Sequence, residues 1–214
     1  MIPRHKNNRG GYGRHPAGAS CARPAPKSPT WSTPALCEMI VRRVYRALQT
    51  RPLKRRLRLL AEWGRGFEDW FVWETFFSLE WPLRRMQGSP WRFDKCDLKC
   101  EYESGQADMI LRGDYPGDTL VLEFKHFVPW SFQQKVLRTQ LPQDFERIRG
   151  SGARAAVFLF AIEQLDSPLA FRKFGVAPPD NVKTQGIKLG KVWLTVNGTE
   201  SQHSLCARLY YWTR

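Results

Sequence analysis

Between Gly105 and Lys125 the chain reads Gly-Gln-Ala-Asp-Met-Ile-Leu-Arg, then a polar turn Gly-Asp-Tyr-Pro-Gly-Asp, then Thr-Leu-Val-Leu-Glu-Phe-Lys. Two short alternating segments about a turn predict a β-hairpin. In the first, Asp108, Ile110 and Arg112 share one face, and Ala107, Met109 and Leu111 share the other. In the second, Val121, Glu123 and Lys125 lie opposite Leu120, Leu122 and Phe124. Period two therefore gives each strand an apolar back and brings Asp108, Glu123 and Lys125 to the front. Two carboxylates and an ammonium on one sheet face are costly to desolvate unless something binds them, and a divalent cation suits.

The 214 residues suffice for one well-cored domain with length left for an arm. Charge divides them unevenly. Residues 1–60 carry 14 Lys/Arg against one acid, Glu38, for a net +13, whereas 61–214 carry 20 against 19. A basic arm on a near-neutral domain predicts an electrostatic grip on a polyanion, nucleic acid first; the plainer reading is solubility alone. No apolar run is long enough to span a bilayer, and the basic N-terminus lacks the apolar segment of a secretory signal. The five scattered cysteines suit free thiols in a reducing, cytoplasmic setting.

Residues 1–32, rich in Gly, Pro and Arg, read as a flexible basic arm, and 33–214 as a single domain. Within it, 33–63 is a basic helical segment. Thr33-Pro34 predicts a helix start, with Leu36, Ile40, Val44 and Leu48 apolar, and Arg51-Pro52 interrupts before a second helix. Arg42, Arg43, Arg46, Lys54, Arg55 and Arg56 would form its outward cationic face. The core spans 64–163. An aromatic helix from Phe67 to Trp81, closed by Pro82, shows a stripe of Trp63, Phe67, Trp70, Phe77 and Trp81 with Glu74 inside it. A carboxylate in such a stripe needs a partner. After a strand at Asp97–Glu103 and the hairpin, 131–149 reads as a helix that Pro142 kinks or splits. The apolar run Ala153–Ile162 reads as a central strand. Strands at Ile187–Val196 and Ser204–Trp212 would pair across Asn197-Gly198 within 164–214. Together these predict an α/β fold around one mixed sheet flanked by helices.

Glu74, Gly105-Gln-Ala-Asp108, Val121-Leu-Glu-Phe-Lys125 and Leu141-Pro-Gln-Asp-Phe-Glu-Arg-Ile148 follow one another in an order that resembles the PD-(D/E)XK, restriction-endonuclease-like superfamily with its αβββαβ core. The likeness covers about Phe67 to Ile162. Ala107 stands where that family often has proline, and neither a Gln-x-x-x-Tyr signature nor clustered cysteines is present, which leaves the subfamily open.

The resemblance implies a metal-dependent nuclease, most simply a DNA endonuclease. Asp108, Glu123 and the backbone carbonyl of Phe124 would hold Mg²⁺ or Mn²⁺, with Glu74 on the same ion through water or on a second one. Lys125 would orient or deprotonate the attacking water. Gln133, Gln134, Lys135 and Gln140 would support phosphate contacts, and His126, on the opposite side of the strand, would be structural. Cleavage of both strands would suit a homodimer. The alternatives are a nucleic-acid-binding protein without catalysis on the same fold, and a toxin or interaction module.

Overall fold

The computed structural model describes residues 32–63, 67–85, 95–102, 105–112, 119–128, 135–150, 154–181, 186–196 and 198–213, with backbone alone at 80–85, 95–102 and 105–106. The arm up to residue 31, the turn at 113–118, and Gln133 and Gln134 lie outside the described residues, as does the side chain of Trp81.

Three helices come first: α1 (Thr33–Leu48), α2 (Arg51–Trp63) and α3 (Glu68–Arg85). Ser32, not Thr33, caps α1, its hydroxyl accepting from the Ala35 N–H at 3.4 Å, so Thr33 and Pro34 fall inside the first turn. Leu36, Ile40, Val44 and Leu48 are buried as their spacing predicts. Strands β1 (Lys95–Tyr102), β2 (Gly105–Arg112) and β3 (Thr119–Phe127) follow. A π-helical turn, Val136–Gln140, leads into α4 (Leu141–Gly150), and β4 (Arg154–Gln164), a 3₁₀ turn Phe171–Phe174, β5 (Ile187–Val196) and β6 (Thr199–Thr213) complete the chain.

The described strands form one mixed sheet in the order β1-β2-β3-β4-β6-β5. β3 and β4 run parallel, as a strand–helix–strand crossover through α4 requires, and the other neighbours are antiparallel. Gly198 takes the positive φ of 78° that a two-residue hairpin turn demands.

One face of the sheet packs Met109, Leu122, Phe124, Phe158 and Phe160 against α1, α2 and α3. The other packs Ile110, Val121, Val157 and Leu159 beneath Leu137, Leu141 and Ile148 of the π turn and α4. The hairpin face that carries the charges is therefore covered, and Glu123 is buried there. Alternation marks two faces but does not say how many of them meet a helix.

One helix is divided next to Pro142 as expected, and another departs from expectation. Pro142 sits in the first turn of α4, where its missing N–H is harmless, and the irregularity lies just before it, where the Leu141 N–H reaches back to the Val136 carbonyl. α3 runs through Pro82 to Arg85 and buries Phe71, Val72, Thr75 and Leu79, with Phe67 buried just ahead of it. Trp63 is 70% exposed and Phe77 59%. Aromatic residues occupy several sides of α3, so their spacing alone did not identify the core face; the sheet selects it.

Phe71 stacks on Phe160 at 4.4 Å between ring centres and meets Phe124 edge-on at 5.6 Å. Phe71→Ala is expected to cost about 3–5 kcal/mol in denaturant unfolding. Phe77→Ala, in the stripe expected to be buried, should cost under about 0.5 kcal/mol.

Candidate functional site

The described backbone pairing of β2 with β3 runs from Arg112↔Thr119 to Met109↔Leu122, while β3 stays paired with β4 through Phe127↔Ala161. Beyond Leu122 the hairpin strands part. At Phe124 two side chains take the place of strand partners. The Asp108 Oδ2 accepts the Phe124 N–H at 2.8 Å, and the Lys125 ammonium donates to the Phe124 carbonyl at 2.9 Å. Buried backbone polar groups require such partners.

Three further charged residues surround this point. Arg147 of α4 contacts Glu123 Oε1 directly and Asp144 Oδ1 at 3.1 Å. Asp144 Oδ2 lies 3.4 Å from the Lys125 Nζ, and Glu68, at the start of α3, lies 3.6 Å from the same ammonium. Glu68 also approaches His126 Nδ1 at 3.5 Å, and the His126 ring packs against Phe67 at 4.7 Å between centres. His126 thus faces the α3 side of the sheet.

Burial is the main influence on the carboxylates. It pushes Glu123 up to about 8, with Asp108 and Asp144 adding to the rise against the opposing pull of Arg147 and Lys125. Burial also raises Asp144 despite Lys125 and Arg147 beside it. For Lys125 burial works against the charge, but Asp144, Glu68, Asp108 and Glu123 outweigh it and lift its pKa above the ordinary lysine value. The ammonium therefore stays charged at neutral pH.

Asp108, Glu123 and Lys125 thus meet around Phe124. Glu74 lies elsewhere: its Oε1 accepts from Arg56 Nη1 of α2 at 3.1 Å. Glu68 and Glu74 are six residues apart, which puts them on different sides of the helix, and the α3 carboxylate that reaches Lys125 is Glu68. Of the basic set, Arg42, Arg46 and Arg55 are exposed, whereas Arg43 and Lys54 are half-buried. Arg42 pairs with Glu38 at 3.3 Å, and Arg42, Arg43 and Arg46 help line a cavity of about 340 Å³ on the outer side of α1. Lys135 is exposed and Gln140 half-buried.

Glu68, Asp144 and Arg147 were not among the site residues expected from sequence. Asp144 and Arg147 sit at i, i+3 within the segment that carried the resemblance, so both were in view as letters. What singles them out is their contact with Lys125 and Glu123 of β3.

The donor set fits a hard divalent cation: carboxylates of Asp108, Glu123 and Asp144 and the Phe124 carbonyl are all oxygen ligands. Four carboxylates, counting Glu68, face two cations, Lys125 and Arg147, in these contacts. Fully ionised, the group carries an excess of two negative charges, the charge of one Mg²⁺ or Mn²⁺. Among the described residues, as placed, no three ligating groups converge to hold an ion. Arg147 and Lys125 take the oxygens instead.

The chain matches no protein-family model, and no curated protein or solved structure matches it either. No helix among the described residues is long and apolar enough to cross a membrane.

Glu123 ionises near 4.5 when unfolded and near 8 when folded, so it costs stability progressively as pH rises between those values. Without metal, Glu123→Gln should match wild type in melting temperature near pH 4. It should exceed wild type increasingly toward pH 8, with no further gain above. Thermal melts across that range check this.

Proposed function

We propose that the chain is a divalent-metal-dependent nuclease that hydrolyses phosphodiester bonds, most simply a DNA endonuclease of the PD-(D/E)XK kind. The observation that carries this reading is the capture of both backbone groups of Phe124 by Asp108 and Lys125, with Glu123 beside them, where β3 parts from β2. The order α3-β1-β2-β3-α4-β4, with β3 parallel to β4, supports it, being the order the sequence resemblance implies.

Asp108, Glu123 and the Phe124 carbonyl would hold the Mg²⁺ or Mn²⁺. Once bound, the ion supplies an activated water and stabilises charge on the scissile phosphate. Lys125, kept charged by its carboxylates, would neutralise the developing phosphorane charge rather than take a proton. Asp144 and Glu68 fix where that ammonium points. Arg147 balances Glu123 and, turned toward substrate, offers a planar fork to a phosphate. The cationic helices and arm would hold the polyanion, in a homodimer where both strands are cut.

Plasmid incubated with Mg²⁺ or Mn²⁺ should be nicked or degraded. Asp108→Ala and Lys125→Ala should each lower the rate by about 10²-fold or more while DNA binding persists. Identical nicking by wild type and variants would sink the proposal.

The contact of Arg147 with Glu123 favours one second reading, a nucleic-acid-binding protein without catalysis, in which the guanidinium permanently replaces a metal. Calorimetric titration with Mn²⁺ separates the two. The nuclease reading expects binding that strengthens as pH rises toward 8 and levels off above, because Glu123 must lose its proton to ligate. The second reading expects no binding at any pH.

A further inference from the structure

The outer sides of α2 and α3 carry large apolar side chains that the core does not use. On α2, Arg56, Leu59 and Trp63 recur along one flank at i, i+3 and i+7, with Leu59 42% and Trp63 70% exposed. On α3, Glu74 and Phe77 are i, i+3, and Trp73 and Phe77 are i, i+4. Trp73 is 48% exposed and Phe77 59%, their rings lying 5.8 Å apart at an interplanar angle of 27°, with Phe76 edge-on to both. The Arg56–Glu74 ion pair at 3.1 Å joins the two helices, with Trp73 and Phe77 beside Glu74 on α3 and Trp63 two turns along α2 from Arg56.

Charge indicates what covers this surface. α2 carries Arg51, Lys54, Arg55, Arg56 and Arg58 against a single acid, Glu62. Arg51 and Arg55 are exposed beside the aromatic flank, and the first 60 residues as a whole carry a net +13. An apolar protein partner or a second copy of this chain would bury these cations at a desolvation cost. A polyanion whose flat apolar groups are accessible would satisfy rings and cations together. Duplex nucleic acid hides its base faces in the stack; a single strand presents them.

We propose that the α2–α3 surface binds single-stranded nucleic acid, bases stacking on Trp73, Phe77 and Trp63 and phosphates meeting Arg51, Arg55 and Arg56. α3 links this surface to the candidate site, since Glu68 at its start contacts Lys125. The proposal therefore deepens the nuclease reading by naming a substrate class, DNA with an unpaired segment. It rests on the nucleic-acid half of that reading and needs neither metal nor cleavage.

The test uses the full chain in EDTA. Fluorescence anisotropy is read with a labelled oligothymidylate of about 20 nucleotides and a duplex of equal length. Wild type should bind the single strand about tenfold or more tightly than the duplex. Trp73→Ala/Phe77→Ala should weaken single-strand binding by about tenfold or more and leave duplex binding within about twofold, with an unchanged melting temperature because both rings are exposed. Trp73→Phe/Phe77→Tyr, which keeps two aromatic faces, should restore binding.

Equal loss for both nucleic acids, or no loss for the single strand, overturns the proposal. So does a double-alanine variant that binds the single strand normally but no longer sediments with phosphatidylserine vesicles or no longer dimerises by light scattering. Single-strand binding lost with the rings, in a protein that cuts nothing when given Mg²⁺ or Mn²⁺, would leave this surface standing and remove the nuclease.

Discussion

The parting of β3 from β2 after Leu122 governs the rest of this architecture. An antiparallel ladder satisfies backbone groups without side chains, and a break in it leaves polar groups that burial will not tolerate. Here the break is answered by charge. One carboxylate and one ammonium settle on the two sides of the Phe124 peptide, and each brings a solvation demand of its own. Asp144, Glu68 and Arg147 answer that demand, drawing α3 and α4 toward the same end of β3. The cluster is thus a chain of obligations that begins with an unpaired peptide.

The layers around it make the opening possible. β3 does not fray, because it remains in register with β4 for its whole inner length, and β4 is held on its other side by β6. Stacked and edge-on contacts of Phe71, Phe124, Phe158 and Phe160 fix the α3 side. A strand anchored so firmly on one edge can release the other without losing its place, and residues held this way are well suited to a site that requires fixed distances.

Much of this was legible in the letters. Period-two alternation located β2 and β3, the unbroken apolar run located β4, and Asn197-Gly198 located the last hairpin, because in each case a local physical rule decides. Asp108, Glu123 and Lys125 were legible as one face for the same reason. Glu68 was not, since a helix with aromatics on several sides offers no local reason to prefer the face that Phe71 and Leu79 occupy. Arg147 and Asp144 were hidden differently. Asp144 lies in the stripe of Leu141 and Ile148 that meets the sheet, and no local rule says that Lys125 and Glu123 stand opposite it and Arg147.

Asp108 holding the Phe124 N–H has one more consequence. Backbone amides inside a ladder exchange with solvent when the strands separate, whereas this one depends on the charge and position of a single carboxylate. A cation that recruits Asp108 elsewhere loosens the amide, while β3 stays paired with β4 through its own ladder. The site therefore carries its own spectroscopic indicator: one peptide N–H whose exposure follows the occupancy of the carboxylate beside it.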